Sequence, residues 1–136
     1  AVAAARGVRL SVRVEPGLGR ALADGDRLRQ VLDNLLNNAI KFTPSGRSVA
    51  AGANAAEGRV VIEVLDEGVG VPAGKRDRLF GKFARLGPAA DATVGTGLGL
   101  YLSRRLVTAQ GGRLEYEPAP AGGSLFRVTL PGAKGA

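Results

Sequence analysis

Val8, Leu10, Val12 and Val14 alternate with polar residues, the period of a half-buried strand, and Glu15-Pro16-Gly17 ends it. Asp24 reads as a cap for a helix from about Asp26 to Lys41, in which Leu28, Val31, Leu32, Leu35, Leu36 and Ala39 recur at steps of three and four. Thr43-Pro44-Ser45-Gly46 stops that helix. Two strands are expected near Ser48–Asn54 and Arg59–Asp66. A glycine-rich turn, Asp66 to Gly74, and a short helical piece around Lys75–Phe83 follow. Gly87 to Gly95 is rich in Ala, Gly and Pro without apolar periodicity, as a mobile lid loop would be. A second helix is expected from about Gly97 to Gln110, with Leu98, Leu102, Leu106 and Ala109 on one side and Gly111-Gly112 as its stop. Arg113–Glu117 and Leu125–Leu130 close the chain as a hairpin around Ala121-Gly122-Gly123. Strands that follow one another directly, mixed with helices, predict one α/β domain over residues 1–136. It is a two-layer sandwich with a mixed β-sheet of about five strands and about three helices on one face.

Composition narrows the chemistry. A chain of 136 residues buries a core without staples, and there is no cysteine to make one. Histidine is absent as well, which excludes Ser-His-Asp and Cys-His catalysis and removes the commonest zinc ligand. The net charge of +7 suits a polyanionic ligand such as a nucleotide or a nucleic acid. Scattered basic residues, two Tyr, four Phe and no Trp argue against the nucleic acid. No apolar stretch approaches the ~20 residues of a membrane span, and residues 1–6 are too short for a signal peptide. The expectation is a soluble domain without membrane contact of its own; a span elsewhere in a larger protein stays open.

Four segments carry candidate chemistry. Gln30, Asn34, Asn38 and Lys41 fall on one stripe of the first helix, opposite the apolar one. This is either a solvated face or an edge where amide oxygens meet Mg²⁺ and Lys41 meets phosphate. Asp66-Glu67-Gly68-Val69-Gly70-Val71-Pro72 follows a strand directly. It is either an ordinary turn or a carboxylate that accepts an amino proton, beside glycines that let backbone approach a flat ring. Gly95-Thr96-Gly97-Leu98-Gly99-Leu100 opens the second helix, where free N–H groups and the helix dipole favour an anion. It matches neither the Walker loop nor the dinucleotide fingerprint. Phe80-Gly81-Lys82-Phe83-Ala84-Arg85 offers Phe side chains for the core and an arginine at the edge of the expected lid.

In this order and spacing the segments resemble the ATP-binding catalytic domain of sensor histidine kinases. That domain has the Bergerat-type fold, shared with gyrase, mismatch-repair and chaperone ATPases. Asp26 to Thr43 resembles the family's Asn box, Asp66 to Pro72 its first glycine box, and Phe80 to Arg85 its Phe box. Gly95 to Leu100 resembles the second glycine box, and Gly122 to Pro131 the closing strand. Gly81-Lys82 and Gln110 depart from the pattern, the first replacing an acidic residue and proline, the second a histidine.

The resemblance implies ATP and Mg²⁺ as cofactors and assigns roles. Asn38 binds the metal with Asn34 beside it, Lys41 contacts phosphate, and Phe42 lies against the adenine. Asp66 accepts the adenine amino proton, Gly70 and Val71 wall the base, Gly68 belongs to the same nucleotide-binding set, and Ser124 helps through water. Thr96, Gly97, Leu98, Gly99 and Leu100 line the phosphates, and Arg85 acts on the γ-phosphate when a lid at about residues 86–96 orders. ATP-hydrolysing relatives carry Glu where Asn34 stands, as base for water; Asn34 cannot take a proton. The implied reaction is γ-phosphoryl transfer to a histidine on a separate dimerisation domain, which passes it to a response regulator in a two-component pathway. The implied setting is a cytoplasmic domain of a homodimer that membrane anchoring elsewhere in the protein would suit. The alternatives are an anti-sigma-factor type of serine kinase, and a nucleotide-binding module without transferase activity.

Overall fold

The computed structural model describes residues 7–14, 25–68, 70, 80, 99–120 and 122–132. Its elements are β1 (Arg9–Val14), α1 (Gly25–Phe42), β2 (Ser48–Ala56), β3 (Arg59–Asp66), α2 (Gly99–Ala109), β4 (Arg113–Pro118) and β5 (Ser124–Pro131). The five strands form one sheet in the order β1-β2-β3-β5-β4. β1 runs parallel to β2 through the α1 crossover, and the other neighbours are antiparallel. The sheet is therefore mixed, as expected, and the described residues contain two helices. The expected Asp24 cap, the lid and the helical piece around 75–83 lie outside the described residues, apart from Phe80.

Both helices pack on one face of the sheet, α1 principally over β3 and α2 over β4, and they touch each other. Val31, Leu35, Ala39 and Ile40 of α1 meet Val49, Val64, Phe126, Val128 and Leu130 of the sheet in one core. Alternation along β3 puts Val60, Val64 and Asp66 on this covered face. Glu63 points the other way, where it receives Arg127 Nε at 2.8 Å while Glu117 takes Arg127 Nη1 at 2.6 Å. Such half-solvated pairs contribute up to about 1 kcal/mol each and chiefly keep the open face polar.

Two expectations are corrected. β1 is not half-buried: Leu10, Val12 and Val14 are 43%, 66% and 58% exposed. Their register with Val49, Ala51 and Ala53 puts them on the helix side of the sheet, but at its edge, beyond the strands that α1 chiefly covers. Val8, just before the strand, is the buried member of the series. In α2 the covered side is Leu100, Ser103 and Val107, whereas Leu102 and Ala109 face outward and Leu106 is half-buried. A polar residue inside the buried stripe displaced the expected face. The expected stop of α2 does form. Gly111 adopts φ +79°, its N–H donates to the Thr108 carbonyl, and the Gly112 N–H donates to that of Val107. Gln110 adds a side-chain bond, Nε2 donating to the Leu106 carbonyl at 3.0 Å.

Candidate functional site

The end of β3, the start of β5 and the C-terminus of α1 converge at Asp66. This carboxyl is 4% exposed at the end of the core-facing row of β3, opposite Ser124 of β5. One of its oxygens, Oδ1, accepts two backbone N–H groups, from Gly68 at 2.9 Å and from Ser124 at 3.2 Å. The first is an Asx turn set by the sequence Asp66-Glu67-Gly68. The second depends on the long-range pairing of β3 with β5. Burial pushes the Asp66 carboxyl above the usual carboxylate range, and the two N–H groups pull it partly back. With Oδ1 doubly engaged, Oδ2 is the Asp66 oxygen without a hydrogen bond from the described residues.

The backbone is packed tightly around this carboxylate. A Cβ on Gly68 would stand 2.5 Å from the Phe42 carbonyl oxygen and 2.9 Å from Asp66 Oδ1, so only glycine lets α1 end against the turn. Gly123, at φ +92°, lets the start of β5 cross directly over the Asp66 carbonyl. Gly70, at φ +73°, lies beside Gly123. Asp66, Gly68, Gly70, Phe42 and Ser124 are thus brought together. Ser124, 6% exposed, meets Asp66 through its backbone N–H rather than its hydroxyl. Thr43 closes the last turn of α1, its Oγ1 donating to the Ala39 carbonyl at 2.7 Å.

The polar stripe of α1 borders the apolar one instead of opposing it. Gln30 and Lys41 are exposed, but Asn34 and Asn38 are half-buried beside Val31 and Leu35. At 100° per residue Asn38 is only a small rotation from Val31, which explains the burial. Asn34 Nδ2 donates to Ser103 Oγ on α2 at 3.0 Å. Asn38 has no hydrogen-bond partner among the described residues. Ser103 was missed by sequence reading; its only signal is a serine at apolar spacing between Leu100 and Val107.

α2 starts at Gly99, so its first N–H groups have no partner within the helix, while the Leu100 side chain is buried in the core. Val71, Thr96, Gly97, Leu98 and Arg85 lie outside the described residues. For a cation, the residues present offer neutral amide oxygens of Asn34 and Asn38, and no cluster of carboxylates among the described residues. That donor set fits Mg²⁺ arriving with a triphosphate, which would bring further oxygen ligands. It does not fit a free ion held by protein alone.

A two-layer α/β sandwich with a buried carboxylate and a helix N-terminus on one rim has the groups that could seat a nucleotide. The family described as histidine kinase-, DNA gyrase B-, and HSP90-like ATPases matches residues 23–134, and the chain belongs to it. The chain is 41% identical over 110 residues to the adaptive-response sensory kinase SasA of Nostoc sp. (strain PCC 7120), covering 80% of this chain and 27% of the relative. It is 41% identical over 119 residues to the sensor protein KdpD of Mycobacterium tuberculosis, covering 88% of this chain and 14% of that protein. The sensor histidine kinase AruS of Pseudomonas aeruginosa is 40% identical over 126 residues, with 85% of this chain and 13% of that protein covered. The chain thus spans about a quarter or less of these relatives. Among solved structures, full-length ShkA in complex with AMPPNP superposes with TM-score 0.84 at 36% identity, covering 99% of this chain and 28% of ShkA. The catalytic domain of histidine kinase ThkA gives TM-score 0.81 at 25% identity, covering 95% of this chain and 83% of that one.

Proposed function

We propose that this domain binds Mg-ATP and transfers its γ-phosphoryl group to a histidine carried by a separate dimerisation domain of a longer, homodimeric sensor kinase. The observation that carries the reading is the buried Asp66 carboxylate, with Oδ1 fixed by two backbone N–H groups and Oδ2 left for the amino group of adenine. An acceptor at that position favours adenine over guanine, which would present a carbonyl there. Phe42, Gly68 and Gly70, packed around Asp66, would meet the base, and Gly70 and Val71 would wall it.

Asn38 and Asn34 would hold the Mg²⁺ that accompanies the triphosphate, and that ion would supply neutralisation of phosphate charge. Lys41 and the first N–H groups of α2 would hold phosphate oxygens, and Arg85 would act on the γ-phosphate. A histidine imidazole nitrogen forms the new bond to phosphorus, the bond to the bridging oxygen breaks, and ADP leaves; the imidazole proton passes to solvent. Asn34 has no basic oxygen for activating water, so hydrolysis stays slow. The product histidine would pass its phosphoryl group to a response-regulator receiver domain. We place the domain in the cytoplasm, with a membrane anchor, where the full protein has one, on another segment; no helix among the described residues is long and apolar enough to cross.

The chain contains no histidine, so alone it should bind ATP and incorporate almost no phosphate. Adding the histidine-bearing helical domain, by fusion or in trans, should produce an acid-labile, base-stable phosphoramidate from radiolabelled ATP. Label that survives acid and depends on a serine would replace this reading by the serine kinase. Rapid hydrolysis by the isolated chain would replace it by an ATPase.

A further inference from the structure

We propose that Ser103 is the positioning residue for Asn34, fixing which end of its carboxamide faces the nucleotide; this rests on the Mg-ATP reading above. Asn34 Nδ2 donates to Ser103 Oγ at 3.0 Å, from one helix to the other. Ser103 is 3% exposed and Asn34 half-buried, so the bond is shielded from competing water. With the nitrogen committed to α2, Oδ1 is the end of the amide directed elsewhere. The two ends of a carboxamide differ in sign: one donates, the other accepts. A half-turn of the Asn34 amide, which would need the Ser103 hydroxyl to donate instead of accept, would present a donor where a metal or its waters need an acceptor. Asn38, one turn further along α1, has no such restraint among the described residues.

The same contact has a second consequence. Ser103 lies one turn into α2, whose first residue, Gly99, ends the run that reads as phosphate-lining. The bond therefore ties that helix start to the helix that carries Asn34, Asn38 and Lys41. Burying a serine between Leu100 and Val107 gives up apolar contact, and a core position with no partner to serve would favour alanine or valine there.

The test compares wild type with Ser103→Ala, Ser103→Cys, Asn34→Ala and the double variant Asn34→Ala/Ser103→Ala. Calorimetry measures the affinity for a non-hydrolysable ATP analogue with Mg²⁺ and with EDTA, and amide NMR follows the Asn34 side-chain resonances without ligand. Loss of one hydrogen bond predicts that Ser103→Ala lowers the Mg²⁺-dependent gain in affinity about fivefold while the metal-free affinity holds. It also predicts a shifted Asn34 amide signal. Cysteine, a weaker acceptor of similar size, should fall between, and alanine at 103 should cost nothing further in the Asn34→Ala background. A merely structural role would lower both affinities together. An unchanged Mg²⁺ gain in Ser103→Ala, or additive losses in the double variant, overturns the proposal and leaves the Mg-ATP reading standing. Wild type that binds no ATP analogue overturns that reading and this proposal with it, whatever the Asn34 resonances do.

Discussion

Replacing Asp66 by Asn separates binding from folding. The substituted amide oxygen can still accept the Gly68 and Ser124 N–H groups that now share Oδ1. The NH₂ group then takes the place of Oδ2, and a donor faces the adenine amino group. A hydrogen bond to a charged group is worth about 1.5–3 kcal/mol. At about 1.4 kcal/mol per decade, the affinity for an ATP analogue should fall roughly 10- to 100-fold. Guanine offers a carbonyl there, so the preference for adenine over guanine should narrow or reverse. Stability should move the other way. Burial raises the folded-state pKa of Asp66 above its ordinary value of 3.8, so ionisation of this group opposes folding. Its favourable contribution is complete below the unfolded-state pKa and is lost as pH rises through the folded-state value. At neutral pH the Asn variant should therefore melt no lower than wild type, and any advantage should disappear in acid. Titration calorimetry with ATP and GTP analogues, alongside thermal melts from pH 3 to pH 8, checks both halves. Undiminished ATP affinity would refute the base-recognition role. A variant that melts well below wild type at neutral pH would show that ionised Asp66 supports the fold.

Asn38→Ala should remove the Mg²⁺ dependence of triphosphate binding without lowering the melting temperature, because alanine is the better helix former and Asn38 serves no described partner. A pronounced drop in the thermal melt would make Asn38 structural. Gly68→Ala forces its Cβ against the Phe42 carbonyl oxygen, 2.5 Å away, and should cost about 1–3 kcal/mol in a denaturant titration. A loss within about 0.5 kcal/mol, the range of an ordinary surface change, would mean that the turn and α1 are not locked together.

The elements were legible because their local signals agree. Leu28 to Ala39 repeat at helical spacing, Thr43-Pro44-Ser45-Gly46 stops the helix, and α1 ends at Phe42. Gly111-Gly112 announced the end of α2, and each strand lies within a few residues of its expected place. Asp66 and its glycines stood out as a carboxylate at a strand end. What periodicity misjudged were faces: Leu102 is exposed, Ser103 buried, and the apolar row of β1 largely uncovered. A hydrophobic pattern records which side can be covered, and the neighbouring element decides whether it is.

The sequence by itself determined the order of elements, the mixed α/β class and the residue types able to handle a nucleotide, because turns, caps and periodicity act over a few residues. Tertiary structure alone decided how those residues work together. Asp66 and Ser124 are 58 positions apart and Asn34 and Ser103 are 69 apart. Only the pairing of β3 with β5 brings the Ser124 N–H to the carboxylate. Only the packing of α1 against α2 makes a serine in an apolar stripe the partner of an asparagine in a polar one. Hydrogen bonds are short and directional, so their partners follow from the packed chain and leave no periodic trace along it.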